Sequence, residues 1–157
     1  MNAFTDRARI IAPPPLLALA CIGLAFLARY FVPLRLSVRA YPIEAAIGVF
    51  MLVTAISIIV FARQHFVAHG THPNPYRPTK ALVDTGPFSF SRNPIYVAFL
   101  VFVLGFTFVA NSFWFVIAAF VLFPVLHFGV VKREEAYLRT KFGAQYEEYC
   151  SRVRRWI

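Results

Sequence analysis

The run NPIYVAFLVFVLGFTFVANSFWFVIAAFVLFPVLHFGVV, residues 93–131, has no Asp, Glu, Lys or Arg in 39 residues. A helix crosses the hydrocarbon core of a bilayer with about 20 apolar residues at a rise of about 1.5 Å each. The run is therefore close to two crossings long. Asn111-Ser112 near its middle supplies a polar turn, so the stretch reads as a helical hairpin with arms over 94–110 and 113–131. Pro94 suits the first turn of the first arm, where its missing N–H is not needed. Pro124 should kink the second arm, because it frees a backbone carbonyl inside the bundle.

Two further charge-free runs lie upstream, Ile10–Ala28 and Ala45–Ala62. The first opens on Pro13-Pro14-Pro15, and proline belongs in a first helical turn, so a helix is expected over 14–30. It approaches the length of a signal peptide but has no small-residue cleavage site before Arg29, and it reads as a retained helix. The second, entered by Pro42 and left by Arg63, predicts a helix over 43–62. Composition agrees: 59% of the 157 residues are hydrophobic and 15% charged, with eighteen phenylalanines, whereas a soluble domain is about 25% charged. The expected fold is an all-α integral membrane protein, one domain over 1–157 with about four transmembrane helices. A loop over 63–93 and a C-terminal segment over 132–157 complete it.

A net charge of +9 raises the possibility of nucleic acid, but the basic residues border the apolar runs, as cytoplasmic membrane flanks do. No nucleic-acid partner is expected. Thirteen basic residues fall on one side of the expected helices, against Arg29, Arg35 and Arg39 on the other. That bias puts both termini and the 63–93 loop in the cytoplasm, and a bacterial inner membrane is the expected location. Cys21 and Cys150 have no metal spacing and no expected disulfide.

The C-terminal segment is amphipathic. Leu138, Phe142, Tyr146, Tyr149 and Val153 recur at helical spacing and form one apolar-aromatic stripe that Gly143 can divide. Arg152, Arg154, Arg155 and Trp156 resemble an interfacial anchor. His65, His69 and His72 are too few, and too poor in carboxylate company, for a metal centre, so none is expected. His127 is a functional candidate because it is ionisable within an apolar helix. The pair Glu134-Glu135 falls where the last apolar arm leaves the bilayer. It faces the same compartment as the proline-rich loop, in which Gly86-Pro87 sets a turn ahead of Phe88. A carboxylate there could hold an amine, and an arginine a carboxylate.

Two stretches carry a family resemblance: LVDTGPFSFSRNPIY, residues 82–96, and REEAYLRTKFGAQYEEY, residues 133–149, separated by the charge-free hairpin. In this order they resemble the isoprenylcysteine carboxyl methyltransferases, to which the phospholipid N-methyltransferases are related with the same plan. The resemblance implies S-adenosyl-L-methionine bound on the cytosolic side and a lipophilic small molecule or lipid as methyl acceptor, with the accepting atom, O, N or S, left open. It implies that Lys80, Ala81, Leu82 and Val83 line the adenosyl pocket, with Phe88 at the aromatic position. Asn93, Pro94, Ile95 and Tyr96 occupy the Arg-His-Pro-x-Tyr segment, and Glu134 takes the cofactor's ammonium. Asn93 stands where relatives have histidine, and Val130 where the eukaryotic carboxyl methyltransferases clamp substrate with arginine. Arg133, beside Glu134, is then the candidate for that catalytic role. Two other readings compete, an NADPH-dependent reductase like the sterol reductases and a non-catalytic membrane scaffold.

Overall fold

The computed structural model describes residues 8, 10–37, 42–71 and 78–157, and among these there is no strand. Six helices follow one another: α1 (Pro14–Phe31), α2 (Pro42–Ala68), α3 (Pro94–Val109), α4 (Trp114–Leu126), α5 (Lys132–Phe142) and α6 (Ala144–Arg152). A 3-10 turn occupies Gly86–Ser89, and a π-helical segment, His127–Val131, joins α4 to α5. By length and composition α1, α2 and the continuous run Trp114–Phe142 can each cross a membrane; α3 is equally apolar but shorter, at 16 residues. The molecule is an all-helical integral membrane protein.

Prolines begin α1, α2 and α3, each at a position whose N–H has no intrahelical acceptor. The expected hairpin turn forms at Asn111, whose φ of +44° is left-handed, a conformation that asparagine tolerates better than most residues. Its side chain also holds the α1–α2 connection. Oδ1 accepts from the Leu36 and Ser37 amides at 3.1 and 3.0 Å, and Nδ2 donates to the Ser37 carbonyl at 3.1 Å. Trp114 Nε1 donates to Val32 O at 2.7 Å beside it.

Packing follows residue size. α2 lies along α3, and α1 and α3 pack on α4. At the α2–α3 crossing a Cβ on Gly48 would sit 2.8 Å from Gly105 O and from Val109 N, so these helices meet backbone to backbone, as small residues allow in membranes. Phe115, Leu122, Leu126 and Val103 are fully buried between α1, α3 and α4. Leu16, Leu24, Phe50, Val53 and Phe120 point outward, the surface expected of helices whose solvent is lipid.

Two helix ends differ by several residues from the sequence reading. α2 continues past Arg63 to Ala68, because a long charged side chain can reach polar surroundings while its backbone stays helical. The last apolar helix does not stop at residue 131 but runs on through α5 to Phe142. Its departure from α geometry lies at His127–Val131, just after Pro124. There Gly129 O accepts the Ile11 amide at 3.2 Å, and a Cβ on Gly129 would clash with Ile11 Cδ1. The chain just ahead of α1 thus meets the last helix at a glycine.

Two ends result. At one, residues 32–37 meet the Asn111 turn. At the other, Ala8, residues 10–15, the 78–93 loop and the C-terminal segment come together. Gly143, at φ +51°, separates α5 from α6. The aromatic stripe packs on the loop: Tyr146, Tyr149 and Val153 are buried with Leu82, Leu138 and Phe142.

Candidate functional site

A cavity of about 800 Å³ opens at this second end, within the size range of about 300–1,000 Å³ typical of small-molecule sites. Its walls come from the starts of α1 and α3, the last turns of α2, the loop, and the inner faces of α5 and α6. Most of them are apolar, including Pro14, Ile59, Phe66, Val83 and Phe99. Four charged side chains reach it: Arg63, Arg92, Glu134 and Glu135.

The two glutamates are sequence neighbours, turned about 100° apart by the helix, and they do different things. Tyr96 OH, one turn into α3, lies 2.8 Å from each oxygen of Glu134 and donates to that carboxylate. No ion pair to Glu134 forms among the described residues. Glu135 is buried and gripped by arginines. Arg155 Nε and Nη2 donate to its two oxygens at 2.8 and 2.9 Å, and Arg92 Nη1 lies 3.3 Å from Oε1. This two-pronged geometry is the strong form of a guanidinium–carboxylate contact. Glu135 closes the C-terminal segment onto the loop, and Glu134 is the acidic group left for a ligand.

More bonds join the loop to the tail. Asn93 Nδ2 donates to Arg155 O at 2.9 Å, and the Arg92 amide to Arg154 O at 3.0 Å. Tyr149 OH donates to Phe88 O at 2.7 Å; burial pushes its phenol above the usual range, so it remains a neutral donor. Trp156 Nε1 donates to His127 Nδ1 at 3.3 Å, which ties the ionisable histidine of the apolar run to the chain's end.

Of the residues singled out in the sequence, Ala81, Leu82, Val83, Phe88, Asn93, Pro94, Ile95, Tyr96 and Glu134 line this one cavity. Phe88 is buried against Phe66, ring centroids 4.7 Å apart, and forms a wall. Lys80 and Arg133 do not line it. Lys80 is exposed and its amide donates to Thr71 Oγ1 at 3.0 Å, while Arg133 is exposed on another face of α5. Val130 is buried in the apolar core. His65 Nδ1 lies 3.0 Å from Phe61 O and His69 Nδ1 2.8 Å from His65 O, both against the backbone one turn earlier at the end of α2; His72 lies outside the described residues.

Sequence reasoning missed Arg63, the Arg92–Glu135–Arg155 clamp and the contribution of Ala8 and Pro13–Pro15 to the walls. Only the clamp left a trace, in the acidic pair facing a basic tail. Proline at a helix start carries no mark of what it borders.

Comparison with known proteins agrees with this geography. The profile of the phospholipid methyltransferase family matches residues 43–145, about two thirds of the chain. An uncharacterized protein of Haemophilus influenzae is 37% identical over 65 residues, 40% of this chain and the whole of that protein. No solved structure matches. The matched span runs from the start of α2 to the start of α6 and contains all four charged residues of the cavity. These are also the relatives that the sequence reading set beside the isoprenylcysteine carboxyl methyltransferases. The chain belongs to the phospholipid methyltransferase family, a family of membrane methyltransferases.

Proposed function

We propose that the protein transfers a methyl group from S-adenosyl-L-methionine to a lipophilic or amphiphilic acceptor at the cytosolic face of the membrane. One observation carries the reading: the Glu134 carboxylate, held by Tyr96 and paired with no cation among the described residues, stands on the wall of a large, mainly apolar cavity. Such a group seeks a positive ligand. The residues suit this cofactor, whose ammonium, sulfonium and adenosine ask for an acid, aromatic faces and an apolar slot. Glu134 would take the ammonium, Phe88 and Tyr96 are the aromatic walls, and Ala81, Leu82 and Val83 line the slot. When bound, the cofactor supplies an electrophilic methyl group on sulfur.

Everything else falls to the chain. Tyr96 orients Glu134. The clamp on Glu135 and the Asn93 bond hold the tail over the loop and keep water out. Alignment and desolvation then carry much of the rate in an in-line displacement. An aromatic face against a desolvated sulfonium contributes on the order of 2 kcal/mol. The positive-inside count supports a cytosolic cofactor entrance, with the acceptor arriving from the bilayer. Family membership weighs against the reductase reading.

Calorimetric titration of the purified chain with S-adenosylmethionine and its demethylated product tests the proposal. Both should bind, Glu134→Ala should abolish binding, and Tyr96→Phe should weaken it about tenfold, the worth of one hydrogen bond to a charged group. Folded protein that binds neither compound would overturn it. Radiolabelled methyl incorporation into lipid extracts then narrows the acceptor.

A further inference from the structure

Arg63 is the charged side chain of the cavity for which neither the fold nor the cofactor reading has a use. It sits one turn beyond Ile59 and lines the cavity together with it. Both residues also line a second concavity, of about 610 Å³, along the outer face of α2 with Val60, Gln64, Val67 and Ala68. Val60 and Val67 are 48% and 68% exposed there, the position of a lipid-facing surface. An apolar groove on the outside of α2 therefore leads past one guanidinium into the cavity.

That guanidinium is unspent. Arg92 and Arg155 are committed to Glu135, whereas Arg63 makes no ion pair among the described residues. Glu134 is the acidic group left over inside, and Arg63 the basic group left over at the rim. An arginine fork reads oxyanions in two-pronged fashion, and near the low-dielectric edge of a bilayer its attraction for an anion exceeds that in open water.

We propose that Arg63 is a specificity-determining residue. It holds the anionic group of an amphiphilic acceptor, a phosphate or a carboxylate, while the acceptor's alkyl chain lies in the α2 groove and its nucleophile reaches inward past Ile59. The role as methyl acceptor rests on the proposed function; the binding preference does not.

The test is equilibrium binding of tritiated dodecyl phosphate to the full chain in neutral maltoside micelles, competed by dodecanoate and by dodecanol. Wild type should bind at least one of the two anions ten or more times tighter than the alcohol, and the tighter anion names the source, phosphate or carboxylate. Arg63→Ala should reduce that preference to nothing and Arg63→Lys should keep part of it. Arg139→Ala, which removes an exposed cation on α5, should leave it unchanged. Thermal unfolding midpoints equal to wild type certify the variants. No preference in wild type, or an undiminished one in Arg63→Ala, overturns the proposal. So does a matching loss of S-adenosylmethionine affinity in Arg63→Ala, which would assign the guanidinium to the cofactor's carboxylate. Wild type that binds the anions but no S-adenosylmethionine would sink the methyltransferase reading and leave this one standing.

Discussion

Glu134 and Glu135 differ by one step along α5 and by everything in their surroundings. Replacing Glu135 by alanine strands Arg92, whose side chain is 12% exposed, without its carboxylate. Breaking such a buried pair costs about 3–5 kcal/mol, so thermal unfolding in detergent should begin markedly lower. Glu134→Gln should leave the unfolding midpoint within a degree or two of wild type and remove cofactor affinity instead. That outcome would separate a structural acid from one that holds the proposed cofactor. Asn93→Ala deprives Arg155 O of its donor and should cost about 1–2 kcal/mol in the same assay. Histidine there, as in the methyltransferases that the loop resembles, still offers an N–H. Residue spacing alone showed that the acidic pair mattered and the resemblance pointed to Glu134, but neither showed that Glu135 would be taken up by arginines. That depends on the register in which α5 leaves the π-helical segment, and no local residue pattern announces it.

At the scale of elements, apolar run length located the start of each membrane helix to within a residue, because a helix whose solvent is lipid must be apolar from its first turn. It failed where helices leave the bilayer. α2 and the last helix continue into polar surroundings, since backbone hydrogen bonds do not stop where the apolar side chains do. Nor did it reveal how the helices touch. Gly48 faces backbone atoms of α3 that cannot step aside, so Gly48→Ala should destabilise by about 1–3 kcal/mol through overpacking. Gly23 in α1 has nothing within 4 Å of an added Cβ. Gly23→Ala should be neutral, or stabilising by up to about 1 kcal/mol through lower chain entropy. Chemical-denaturant titration of both variants in one detergent checks the contrast.

Across the whole molecule, the cavity draws on Ala8 at one terminus and is shut by bonds to Arg154 and Arg155 at the other. Deleting residues 153–157 removes the clamp and the Asn93 acceptor but none of the helices that can cross the membrane. Far-UV circular dichroism should keep its helical signal, while cofactor affinity falls more than tenfold. Motif reading recovered the loop and α5 walls of this cavity because both lie within short continuous stretches. The walls from α1 and α2 come from residues far away in sequence and carry only the ordinary marks of helix ends.

The clasp between loop and tail also sets an order of assembly. Arg92 and Glu135 lie on either side of the apolar hairpin, and Arg155 follows both. The cavity therefore has no closed wall until the segment after α6 has been made and has folded back, whereas the apolar helices need only lipid to form. A cut between α6 and Arg154 returns the chain to that earlier state, helical and embedded but with its cavity open.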